Sequence, residues 1–177
     1  MKTLQDTAFL TAIATGIRSL SFYRTMAYKF NDIHTKKLFE LLAHKEADHL
    51  HAVCRLCPDS KQDLVPILID NGMYAYPYYC SMLNSADVNI SEKDALQIAI
   101  KDELACIENY SAFVENIENH SIRNVFEKIL KDTYRHCELI SDEYSRITKG
   151  AASTLTDTSM FEKYVQAQSP AIGSITI

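Results

Sequence analysis

Apolar residues recur along this chain at spacings of three and four, the repeat of one helical face. Between Phe39 and Leu56 that face carries Phe39, Leu42, Glu46, His49, Val53 and Leu56. The spacing is that of a buried seam, yet its middle two members are a carboxylate and an imidazole. The seam predicts a helix over about residues 34–54, stopping before Pro58. Upstream, Phe9, Ile13, Gly16, Leu20, Tyr23, Ala27 and Phe30 predict a helix over about residues 4–29, behind the capping-type "TLQD". Downstream, Leu96, Ile100, Glu103, Ile107, Tyr110, Val114 and Ile117 predict a third, behind the capping box "SEKD" at residues 91–94. Phe126, Ile129, Thr133, His136, Ile140 and Glu143 predict a fourth over about residues 122–149, with Gly150 as its C′ residue.

The four seams are two copies of one hairpin. An offset of 87 residues sets Ala8 on Ala95, Ala12 on Ala99, Ile13 on Ile100 and Tyr23 on Tyr110. Without a gap it also sets Phe39 on Phe126, Glu40 on Glu127 and His49 on His136. Seven identities carry weight here because most of them lie on the seams. Two helical hairpins predict an all-α four-helix bundle over residues 1–150. The connection over about residues 58–90 is too long for a loop between antiparallel neighbours and suits a crossover along the bundle. It holds a short helix candidate, "DLVPILIDNG", and the tyrosine cluster Tyr74–Tyr79, whose expected role is to pack the crossover onto the bundle. Residues 151–177 form a tail with one short helix candidate, "DTSMFEKYVQAQ", expected to pack on the bundle or on a partner.

Composition agrees and narrows the function classes. Only four Gly and four Pro among 177 residues suit long helices, and 47% apolar content supports a sizeable core. A net charge of −5 leaves no basic footprint for nucleic acid and no polybasic segment for an anionic membrane. No apolar run approaches the roughly 20 residues needed to span a bilayer. "AFLTAIATGI" has the length of a signal-peptide core, but it lacks a basic lead and has a structural twin downstream. Five cysteines, Cys54, Cys57, Cys80, Cys106 and Cys137, follow no framework spacing, so reduced thiols and a cytoplasmic location are expected. Cys54 and Cys57 make a lone C-x-x-C with no second pair to complete a metal ribbon, and read as small apolar residues at a helix end.

Glu46, His49, Glu103 and His136 are the chemical signal. An unpaired buried carboxylate costs several kcal/mol, and two at one bundle height repel unless one is protonated. A bound cation removes both penalties, and Glu-x-x-His places two ligands on one helical face. A hydrogen-bonded polar layer without metal is the competing arrangement.

These residues resemble the ferritin-like superfamily and, within it, rubrerythrin-like proteins. "ELACIENY" carries a Glu seven residues before a Tyr, Glu103 and Tyr110, and "EADH" carries Glu46 and His49 as Glu-x-x-His. "SFYR" and "KKLFELLAHKEADH" resemble the same family in their ordinary residues. The resemblance covers about residues 4–148, does not extend to a rubredoxin domain, and implies a ferritin-like bundle with a di-iron centre. Two ligands of that pattern are missing. Gly16 stands seven residues before Tyr23, where the family places a terminal ligand, and Thr133 stands where it places a bridging carboxylate.

Two carboxylates neutralise one divalent cation and not two, so a single metal in a His₂Glu₂ site is expected. Iron is the first candidate, with zinc and manganese as alternatives that the same ligands suit. Tyr23 and Tyr110 stand beside the site as supporting residues. Gly16 leaves a volume for water, a hydroperoxide or a small substrate unless Phe or Met neighbours close it. Cys106, three residues after Glu103, is expected as core filler, Cys137 about 100° off the seam, and His34, His44, His51 and His120 on the surface. The functional expectation is metal binding with an oxidoreductase or iron-handling role. The alternative is a metal-free scaffold acting as a dimerisation or interaction module. A homodimer or higher homo-oligomer is expected in either case.

Overall fold

The computed structural model describes residues 4–56 and 90–149. They form four helices: α1 (Leu4–Lys29), α2 (Ile33–Arg55), α3 (Glu92–Asn116) and α4 (His120–Lys149). α1 packs along α2 and α3 along α4 as two hairpins, which face each other through the pairs α1–α3 and α2–α4. This is the expected four-helix bundle. The crossover, its tyrosine cluster, the tail, Cys57 and Cys80 lie outside the described residues.

Each hairpin turns in three residues, and a side-chain cap starts the helix that follows. Asp32 accepts from the backbone N–H groups of His34 and Thr35, two of the donors that a helix start leaves unpaired. Asn119 does the same for Ser121 and Ile122, so α4 begins slightly earlier than its apolar seam. Ser91 caps α3 as expected, accepting from Asp94 N–H.

Two apolar clusters fill the bundle. One centres on Phe22, Tyr23, Phe30 and Phe39, whose rings pack with centroids about 6 Å apart. The other is built from Tyr110, Phe113 and Phe126, with Phe9 against its edge. The six predicted seam residues of α4 are all buried. Phe9 and Ile13 on α1 are only half-buried, while Ser19, Ser21 and Phe22 are buried as well. The middle of α1 is thus enclosed on more than one side, which a single-face pattern does not foresee.

At the end of the bundle holding the α1–α2 turn, α4 is clasped by charge. Arg146 bonds Glu143 on its own helix and Asp32 at the start of α2, and Thr35 Oγ1 donates to Glu143 Oε1 at 2.6 Å. The Arg146 hydrogen bond holds the Glu143 carboxyl below its usual range, and the Thr35 N–H does so for Asp32. Depressed carboxylates stabilise the fold above their unfolded pKa, about 4, and that stability is lost as pH falls through the folded values. Glu143→Gln is therefore expected to melt lower than the parent at pH 7, with the gap closing in acid. Melting followed by circular dichroism across pH 3–7 checks it (roughly the window these carboxyls span).

Candidate metal centre

Four polar side chains meet inside the bundle, between the two aromatic clusters. α2 supplies Glu46 and His49, α3 supplies Glu103, α4 supplies His136, and all four are buried. An oxygen each of Glu46 and Glu103 and a nitrogen of His136 lie within 4.8 Å of one another. His49 joins them through Nδ1, 3.4 Å from Glu46 Oε1. His136 Nδ1 stands 3.3 Å from Glu103 Oε1 and 3.7 Å from Glu46 Oε1. The two imidazoles stack with centroids 5.5 Å apart. Of the four residues singled out from the sequence, Glu46, Glu103 and His136 are brought within common reach of one another, and His49 lies beside them against Glu46.

The spacing fits one small cation. Four ligands at metal–ligand lengths of about 2.0–2.2 Å stand about 3.3–3.6 Å from each other around a tetrahedral ion. Within the triad of Glu46, Glu103 and His136, the separations of 3.3 and 3.7 Å lie near that value, while His49 reaches only Glu46, at 3.4 Å, from outside the triad. Both imidazoles face the carboxylates through Nδ1, which leaves each Nε2 for an outer partner. His49 Nε2 has one: Asp132 Oδ2, 3.2 Å away on α4 and partly exposed. Such a carboxylate fixes the tautomer and orientation of a metal-binding imidazole. His136 Nε2 is buried without a hydrogen-bond partner among the described residues. The 87-residue offset explains the difference, because the mate of Asp132 is Lys45, a cation that cannot accept a hydrogen bond.

Electrostatics show the strain a cation would relieve. Burial, reinforced by the Glu46 charge, pushes the Glu103 carboxyl up despite the hydrogen bonds it receives. Tyr23, fully buried, donates to Glu103 Oε1 at 2.6 Å, and its phenol is held well above the ordinary range by burial and by the Glu103 charge. For His49, burial works against protonation, but the Glu46 hydrogen bond and charge and those of Asp132 outweigh it and raise the pKa.

The model of the family described as Rubrerythrin matches residues 9–144, most of the chain. The chain belongs to the rubrerythrin family. Comparison with curated proteins and with solved structures found no match. Within this rubrerythrin domain, both absent ligand positions have been taken over by other contacts. Thr133 is buried, and its hydroxyl donates back to Ile129 O at 2.9 Å. At Gly16 the volume is closed by Leu50: an ideal Cβ there would lie 2.8 Å from Leu50 Cδ2 and 2.9 Å from Leu50 Cγ. The expected space for water or a small substrate beside Gly16 is filled by Leu50.

The remaining candidates sort as follows. Tyr23 supports the site directly. Tyr110 is buried beside Phe113 and Phe126, with a glycine where a carboxylate matching Glu103 would stand. Cys106 is buried as expected, its thiol pushed up by burial and by the Glu103 charge. Cys137 is fully buried although its position is off the seam, since α4 packs against both α2 and α3. His34, His44, His51 and His120 are exposed. Nearby, Arg18 and Asp102 pair across α1 and α3 at 3.6 Å. Sequence reasoning passed over Asp132 and Leu50. For Asp132 the available signal was its place four residues before His136, one turn along the same helix. For Leu50 it was the 87-residue offset, which sets it against the small Cys137.

None of the described helices is long and apolar enough to cross a membrane.

Proposed function

We propose that this rubrerythrin-family chain binds one divalent metal ion, held by Glu46, His49, Glu103 and His136. Iron is the first candidate, with zinc and manganese behind it. The observation that carries the reading is the convergence of two buried carboxylates and the His136 imidazole within 4.8 Å of one another, with His49 Nδ1 3.4 Å from Glu46 beside them. Two carboxylates in a low-dielectric core balance the charge of one divalent cation and leave a second uncompensated. When bound, iron would supply one-electron redox chemistry and Lewis acidity. The protein's part is to hold and dry the ligands: Tyr23 orients Glu103 by its hydrogen bond, Asp132 orients His49, and the aromatic clusters keep bulk water from the layer. The role this supports is iron handling or slow one-electron oxidoreductase chemistry; joint two-iron chemistry lacks half of its carboxylates.

Elemental mass spectrometry on protein purified with and without air tests the reading. The expected result is about one equivalent per chain, since a specific site is stoichiometric. Less than about 0.2 equivalents under both conditions would leave the metal-free scaffold as the better account. Asp132→Ala provides a second check. Loss of the partner of His49 Nε2 is expected to weaken metal affinity by about 10–100-fold without unfolding the chain. Competition titration against a chelator measures it.

A further inference from the structure

The two halves of the chain are related by the 87-residue offset, and that offset pairs residues around the polar layer. Glu103 is the mate of Gly16, His136 of His49, Thr133 of Glu46, and Cys137 of Leu50. In the first half a large side chain, Leu50, lies on a residue with no side chain, Gly16. In the second half the sizes are exchanged: the carboxylate is present as Glu103, and the residue equivalent to Leu50 is the small Cys137. Cys137 is fully buried. By the offset, the positions of Cys137 and Glu103 correspond to those of Leu50 and Gly16, with the large and small side chains exchanged.

We infer that Leu50 is the residue that limits the layer to one ion, by occupying with hydrocarbon the volume that a carboxylate at position 16 and a second cation would need. This rests on the proposal that the layer binds metal. A side chain at position 16 would start 2.8–2.9 Å from Leu50, against about 3.5–4.0 Å for carbon atoms in ordinary contact. Leu50 is itself only 2% exposed, so it has little free space to move into. Supplying the two missing carboxylates is therefore not enough. Gly16→Glu and Thr133→Glu restore the charge needed for two divalent ions but leave Leu50 across the place of one of them.

The test compares ion uptake by native mass spectrometry, with cobalt(II) as the probe, in the parent and three variants. The parent is expected to take up one ion, and Gly16→Glu/Thr133→Glu also one. Adding Leu50→Cys, which copies the second half, or Leu50→Ala, which copies its size without a thiol, is expected to raise uptake to two. A double variant that already holds two ions overturns the inference, as do triple variants that hold no more than the double. A parent that takes up none overturns the one-ion reading instead, while the double-against-triple comparison still decides the part played by Leu50. Should the position 16 variants fail to fold, Leu50→Ala alone decides it. Azide is expected to change the visible absorption of the cobalt-loaded Leu50→Ala protein and not that of the cobalt-loaded parent. An equal azide response in both overturns the inference.

Discussion

Metal-loaded protein melts about 5–10 °C above metal-free protein, and Glu46→Gln/Glu103→Gln abolishes the difference: these are the expected results of scanning both forms. An ion at about 100 times its Kd adds roughly 2.7 kcal/mol to the folded state. For a chain of this size each kcal/mol moves Tm by about 2–4 °C. The double substitution removes both negative charges from the layer while keeping side-chain shape, so the ion loses its counter-charge. In the metal-free state the same change is expected to leave Tm equal or higher. Burial and the Glu46 charge already hold the Glu103 carboxyl high, so its ionised form is a burden to the empty fold. Parallel melting curves with added Fe(II), Zn(II) or Mn(II), and with chelator, distinguish these outcomes. If the parent melts at one temperature in all of them, the layer is a hydrogen-bonded structure and no more.

Phe39→Ala is expected to cost about 3–5 kcal/mol, the usual range for emptying a buried aromatic site. That is a large part of a typical total stability of about 5–15 kcal/mol. Phe39 is fully buried and packs against Phe22, Tyr23 and Phe30. The loss should also reach the polar layer. The Phe39 ring stands 5.9 Å from that of Tyr23, and Tyr23 donates to Glu103. A cavity at position 39 lets the phenol move and weakens its hold on that carboxylate. Phe39→Leu, which keeps most of the volume, should lose much less on both counts. Chemical denaturation gives the stability, and a competition titration gives the affinity. A stability change below about 1 kcal/mol for Phe39→Ala would remove this cluster from any central place in the core.

Much of this architecture is written in the spacing of single residues. The α4 seam is buried at each of its six predicted positions because its apolar and polar sides are sharply divided. The bounds of α1 match the expected ones. The starts of α2 and α4 came out one or two residues early, since Asp32 and Asn119 cap the chain before its apolar repeat begins. The four layer residues could be found because carboxylates and imidazoles are conspicuous on an apolar seam. Leu50 and Asp132 are conspicuous in nothing. A leucine in a core helix and an aspartate on a half-exposed face acquire meaning only from the helix opposite, which a one-dimensional pattern does not contain. Cys137 shows the same limit. It stands off the apolar seam by helix geometry, but the buried arc of α4 is wider than one seam.

The layer draws two of its members from each hairpin: Glu46 and His49 from the first, Glu103 and His136 from the second. Hydrocarbon alone would tolerate sliding one hairpin along the other, because a leucine packs almost as well one turn further on. The polar groups do not tolerate it. A slip of one turn, about 5.4 Å, would carry Glu103 and His136 together away from Tyr23 and Glu46 and press both into apolar side chains. Ionic groups in the interior thereby act as an index mark that fixes the register of the two halves, a service they perform with or without an ion between them.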